Sequence, residues 1–155
     1  MHFHRYEKYW LIFGLCTLVV FLTIVGVNAF SGGHQPPTGM MTLDPTKVDQ
    51  TPPFDQPGLK KVDDNTYEAN LIAMAFGYNP SKIEVPVGAK VIFNVTSKDV
   101  VHSFTIPGTN VNMMITPGHV NTSEFSFDKP GSYLVLCNEY CGSGHHMMQM
   151  TIEVK

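Results

Sequence analysis

Six side chains that bind soft metal ions fall within residues 137–148: Cys137, Cys141, His145, His146, Met147 and Met148. Thiolates and thioethers favour copper, and one Cys with His and a weak axial Met is a copper electron-transfer set. The second Cys, four residues after the first, exceeds what one copper needs. Two bridging thiolates could hold two metal ions. His102, 35 residues upstream, can bring a further imidazole.

Two other chemistries compete for the same residues. A disulfide between Cys137 and Cys141 is open to an extracytoplasmic protein. It would close a very small loop and leave His102, His145 and Met148 without a role. A tetrahedral zinc site from His102, Cys137, Cys141 and His145 is feasible, and it leaves Met148 unused. His146 and Met147 read as neighbours that need not bind. No Ser-His-Asp set or paired carboxylates can be defended, so hydrolytic chemistry is set aside.

These ligands need a rigid scaffold. From about residue 66 the chain reads as short strands: 67–74, 83–87, 90–96, 103–106, 120–127, 132–137 and 149–154. Turn signals divide them at Asn79-Pro80, Val87-Gly88, Pro107-Gly108, Pro117-Gly118 and Pro130-Gly131. Strands at this spacing predict a mainly β chain folded as a Greek-key β-sandwich. Cys137 then ends one strand, Met148 precedes the last and His102 starts another. The sandwich would gather them on loops at one end. Gly142 and Gly144 would let the ligand loop fold tightly.

Residues 10–30 carry no charge. As a helix these 21 residues can span a hydrocarbon core of about 30 Å. A cleaved signal peptide has a shorter apolar stretch, of about 7–15 residues, and a small-x-small site. Asn28-Ala29-Phe30 matches that poorly, so the span reads as an uncleaved single-pass anchor. Arg5 and Lys8 precede it, which puts the N-terminus in the cytoplasm and the remainder outside a cell membrane. The expected organisation is an anchor at 1–30, a Pro/Gly-rich linker and cover at 31–65, and a metal-binding domain at 66–155. Residues 31–155 carry eight Lys and twelve acidic residues, formally −4. With no basic stripe, the sequence points to no nucleic-acid partner.

The spacing Cys-x-x-x-Cys-x-x-x-His-x-x-Met with an upstream His resembles the dinuclear CuA site of cytochrome c oxidase subunit II. The phrases Phe76-Gly77-Tyr78, Ile83-Glu84-Val85-Pro86, Asp99-Val100-Val101-His102-Ser103-Phe104 and Pro117-Gly118 resemble the same family. The resemblance covers residues 67–155, and a single N-terminal helix is similar to subunit II of the B-type haem-copper oxidases. Nitrous oxide reductase carries a similar site beside a second large domain.

The resemblance implies a cupredoxin-like fold and two copper ions. Cys137 and Cys141 would bridge them, and His102 and His145 would bind one each. Met148 and the backbone carbonyl of Glu139 would be weak ligands. It also implies a Mg ion held by Glu139 at the interface with oxidase subunit I. Further implied partners are a small helical subunit and a c-type cytochrome or other soluble electron donor. The two-helix relatives take the electron through a Trp near the site. The only Trp here is Trp10, which reads as an interfacial anchor. Phe76, Tyr78, Met113 and Met114 are therefore the candidates for electron input, with strand packing the other reading of Phe76 and Tyr78, and a lid on the core the alternative to an exposed docking patch for Met113 and Met114. A membrane-anchored copper carrier, handing on metal rather than electrons, is the reading from a different class.

Overall fold

The structure, a computed structural model, describes residues 4–31 and 41–155. The chain forms two units, residues 1–36 and 37–155.

The first unit is one helix, α1 (Arg5–Ser31), with no buried residue. It is apolar on every side, as a lipid-facing helix is. At about 1.5 Å per residue, its 27 residues exceed the membrane core. Its polar side chains turn back onto the helix. Thr17 Oγ1 donates to the Phe13 carbonyl at 2.9 Å, Thr23 Oγ1 to Val19 at 2.8 Å, and Asn28 Nδ2 to Ile24 at 3.0 Å. Such internal bonds satisfy polar groups where no water is present. Among the described residues this is the one helix long and apolar enough to cross a membrane.

The second unit is a sandwich of two five-stranded sheets. The first holds β1 (Gly58–Asp63), β2 (Thr66–Met74), β5 (Lys90–Ser97) and β8 (Val120–Ser126) in the order β1-β2-β5-β8. The short β3 (Gly77–Asn79) pairs with the end of β2. The second sheet, ordered β4-β10-β9-β6-β7, holds β4 (Lys82–Val85), β6 (His102–Thr105), β7 (Asn112–Ile115), β9 (Gly131–Leu136) and β10 (Gln149–Val154). Two pairings are parallel, β2 with β5 and β4 with β10. Alternation sends one side of each strand inward, as in Met150, Ile152 and Val154 of β10. Phe93 of β5 meets Phe104 of β6 across the core with ring centroids 5.2 Å apart. That contact seats the strand that begins with His102.

Residues 41–57 lie over the outer face of the first sheet. Asp44 caps a 3-10 turn, Pro45–Gln50, and Val48 and Phe54 form a small second core with Ile72 and Val120. The Leu43 N–H donates to the Gly118 carbonyl at 3.1 Å, and the Val120 N–H to that of Met41 at 3.0 Å. An ion pair joins Lys98 to Asp49.

The expected sandwich is present, with three strands the sequence reading did not include. β1 lies in the segment read as linker and cover. Its Lys60, Lys61 and Asp63 are exposed, because it is an edge strand and lacks an apolar run. β3 is only three residues long. β7 lies in the segment read as a loop between Pro107 and Pro117. The turns around it follow the sequence, with Gly108 at φ 82° and Gly118 at φ 84°, a region that suits glycine.

Candidate metal centre

The centre lies where the start of β6 meets the segment between β9 and β10. A ring nitrogen of His102 and the sulfurs of Cys137 and Cys141 all lie within 4.8 Å of one another, and all three residues are buried. The two thiols are free, so no disulfide closes the small loop.

Local hydrogen bonds bring the two segments together. The Cys137 N–H donates to the Met148 carbonyl at 3.4 Å, closing the base of the ligand loop. The Asn138 N–H donates to Ser103 Oγ at 2.6 Å, which ties the residue after Cys137 to the residue after His102. Between these anchors the chain turns tightly: the His145 N–H reaches the Gly142 carbonyl and the Met148 N–H that of His145, both at 3.1 Å. A 3-10 turn, His145–Met147, brings residues three apart onto one side. His145 and Met148 therefore both face Cys141, whose sulfur lies 3.6 Å from His145 Nδ1 and 3.6 Å from Met148 Sδ. The Glu139 carbonyl lies 3.2 Å from the Cys137 sulfur.

The six residues given a ligand role by the resemblance, His102, Cys137, Glu139, Cys141, His145 and Met148, thus meet at one place, Glu139 through its backbone. Met148 is buried and His145 half-buried, whereas His146 and Met147 are exposed. The groups around the two sulfurs are those a soft metal takes: thiol, thioether, imidazole and carbonyl. The His102 ring is oriented for it. Nε2 lies 2.7 Å from Asp99 Oδ1, while Nδ1 is buried with no hydrogen-bond partner. A buried ring nitrogen without a partner is costly unless something binds there.

Electrostatics follow from burial. The Cys141 thiol is pushed up to about 11, first by burial and then by Cys137. Burial, and then the nearby Cys137 and Cys141, hold the Tyr78 phenol far above its usual range. Tyr78 therefore stays an O–H donor, and it donates to the Ser103 carbonyl. Burial alone would raise the Asp99 carboxyl. Hydrogen bonds from His102, Ala75 and Val100 outweigh it and hold the group below its ordinary value.

Burial decides between the two readings of the electron-input candidates. Met113 and Tyr78 are 1% and 5% exposed, since both point into the core from their strands. They cannot form a docking surface. Phe76 and Met114 stay exposed. The sequence reading missed Tyr140 and Met147, 81% and 66% exposed, which stand on the ligand loop itself. The tight-turn reading holds for Gly142, whose φ of 129° suits glycine, and both glycines have a second role. Their small size makes room for Phe76, whose ring atoms lie 2.8 Å and 2.5 Å from where a Cβ would stand on each. Asp99 was part of a recognised phrase but carried no assigned role. Its signal is a carboxylate three residues before a ligand-type His. Glu139 also lines a groove of about 530 Å³ shared with Ser103, Asn112, Asn121 and Asn138.

The sequence pattern of the periplasmic domain of cytochrome c oxidase subunit II matches residues 64–155. A cytochrome c oxidase subunit 2 of Thermus thermophilus is 42% identical over 154 residues, covering 97% of this chain and 92% of the relative. A second Thermus thermophilus subunit 2 sequence is 43% identical over 127 residues, 81% of this chain and 94% of its own. A chain from a haem-copper terminal oxidase dimer, determined by cryo-electron microscopy, superposes with a TM-score of 0.80 at 36% identity. The match covers 97% of this chain and 100% of that one.

Proposed function

The chain belongs to the cytochrome c oxidase subunit II family, and from that premise we propose that it is the electron-input subunit of a terminal respiratory oxidase. It accepts electrons from a c-type cytochrome or similar soluble donor at a dinuclear copper centre. It passes them to the haems of subunit I in an oxidoreductase complex, which also includes a further small helical subunit. The observation that carries this reading is the convergence of two imidazoles, a thioether and a backbone carbonyl on two buried cysteine sulfurs.

Cys137 and Cys141 would hold both coppers, His102 and His145 would each hold one, and Met148 and the Glu139 carbonyl would be the weak ligands. When bound, the pair would supply one-electron chemistry shared across both metals, so that each bond changes little. The chain's own task is to keep these ligands still. His102 and Cys137 are fixed at the ends of packed strands, and Met148 is fixed by the Cys137 N–H. Burial of the sulfurs and of Met148 excludes water and lowers the local polarity, which tunes the potential.

In this reading residues 1–30 anchor the chain in the cell membrane with the N-terminus cytoplasmic. Residues 31–65 connect and cover, and residues 66–155 form the copper domain on the outer or periplasmic side. Residues 32–40 lie outside the described residues. The Glu139 carboxylate, in its polar groove, is the group that would contribute to a Mg ion at the subunit I interface.

A copper carrier would need ligands that a partner can reach. Burial of His102, Cys137, Cys141 and Met148 favours electrons as the cargo. The test is copper stoichiometry with electron paramagnetic resonance on the full chain in detergent. Two coppers with a delocalised mixed-valence signal are expected. One copper with a localised signal refutes the reading.

A further inference from the structure

We propose that Asp99 is a positioning residue that fixes both halves of the copper centre, the His102 ring directly and the ligand loop through Phe76. The inference rests on the copper reading above and adds to it a residue outside the ligand set.

Asp99 lies in the turn between β5 and β6, partly exposed, yet its carboxylate is shared between two inward groups. Oδ1 faces His102 Nε2 at 2.7 Å and accepts the Val100 N–H at 2.7 Å. Oδ2 accepts the Ala75 N–H at 2.7 Å. The next residue, Phe76, lies on Gly142 and Gly144 of the ligand loop. One carboxylate thus links His102 to the turn that covers the segment carrying Cys141, His145 and Met148.

Two effects follow. A carboxylate accepts the Nε2–H of a neutral imidazole, so Nδ1 is left with its lone pair. Nδ1 is the buried nitrogen without a partner, and it becomes the ligand atom. The negative charge behind the ring would also stabilise the oxidised, more positive metal pair. Through Ala75, the same carboxylate holds the turn after β2, so Phe76 keeps its place over the two glycines.

A bare turn-capping role would predict loss of stability and nothing else. The test uses the full chain in detergent with Asp99→Ala, Asp99→Asn and Phe76→Ala. Nitrogen NMR of labelled histidines in the metal-free protein reads the tautomer. Copper titration, the reduction potential and the nitrogen hyperfine couplings read the loaded centre. The wild type should hold His102 as the Nε2–H tautomer. Asp99→Ala should mix the tautomers and lower copper affinity by about 10- to 100-fold. It should also raise the potential and change the couplings of both histidines. Phe76→Ala should leave the His102 tautomer alone and change only the His145 coupling. Asp99→Asn, whose amide oxygen can still accept the Nε2–H, should keep the tautomer and raise the potential. It carries the test if the alanine variant does not fold.

Folded Asp99 variants with wild-type affinity, potential and couplings overturn the proposal, whatever their melting temperature. So does a changed tautomer without a change at the metal. If the wild type fails to bind two coppers, the reading of the preceding section falls. The tautomer in the metal-free protein still decides whether Asp99 orients His102.

Discussion

The ring of Phe76 lies on Gly144 so closely that a Cβ there would stand 2.5 Å from both Cγ and Cδ2. Gly144 has φ −93°, a backbone that any residue adopts, so this contact alone requires glycine. The clashing atoms are at the base of the ring and cannot swing aside. Gly144→Ala should destabilise the protein by about 1–3 kcal/mol, the usual cost of overpacking. Phe76→Ala in the same chain should relieve much of that cost, because neighbouring sites are not additive. Denaturant unfolding of the two single variants and the double variant measures the coupling. Strict additivity would show that the two residues do not meet.

Much of this was legible in the sequence, and the physics explains which parts. The ligands could be read because their chemistry is local: two thiols, an imidazole and a thioether in 137–148 leave few uses. β5 and β10 could be read because their inner faces alternate cleanly. β1 could not, since Lys60 and Lys61 dominate its composition and only pairing with β2 makes it a strand. β7 was hidden because Met113 faces inward and Met114 outward, and two adjacent Met residues show no alternation. The Phe76 contact with Gly142 and Gly144 joins segments far apart in sequence. No spacing rule reports it.

The proposed centre gives Cys137 and Cys141 equivalent bridging roles, and both residues are buried. Replacing either by Ser swaps a soft bridge for a hard hydroxyl. Cys137→Ser or Cys141→Ser should abolish the mixed-valence spectrum, since one remaining bridge cannot keep two coppers equivalent. Optical and paramagnetic spectra after copper loading check this. A wild-type spectrum from either variant would remove the bridging assignment.

Met148 is buried beside Cys141, yet a weak axial thioether contributes little to holding metal. Met148→Leu keeps the volume, so the fold should lose less than about 1.5 kcal/mol. Copper should stay bound while the reduction potential shifts. Titration and voltammetry separate the two quantities. Complete loss of copper would mean that Met148 does more than tune.

The Cys141 thiol, raised from 9.0 to about 11, must lose its proton to become a metal ligand. Copper loading near neutral pH should therefore release protons. Apparent affinity should rise about tenfold per pH unit for each proton displaced. Without metal the sign for folding is opposite. The folded thiol has the higher pKa, so its contribution to stability is complete below 9.0 and is lost as pH rises towards about 11. Loading with copper should remove that alkaline loss. A copper affinity flat between about pH 6 and 8 would contradict proton release.

Tyr140 and Met147, exposed on the ligand loop, and Phe76 against its glycines leave apolar surface near the buried cysteine pair. Exposed apolar surface of this kind is where the proposed electron donor would dock. The full chain, loaded with copper in detergent, should oxidise a reduced c-type cytochrome. It should consume no oxygen, because the proposed function leaves oxygen reduction to subunit I. Replacing Tyr140 and Met147 together by Ser should slow the bimolecular step about tenfold, as about 1.4 kcal/mol of lost apolar contact is a factor of ten. The copper spectrum should not change, since neither side chain is a ligand. Stopped-flow haem absorbance and an oxygen electrode, read on the same mixtures, test each part. Sustained oxygen uptake by this chain alone, or no cytochrome oxidation at full copper occupancy, would overturn the electron-input reading.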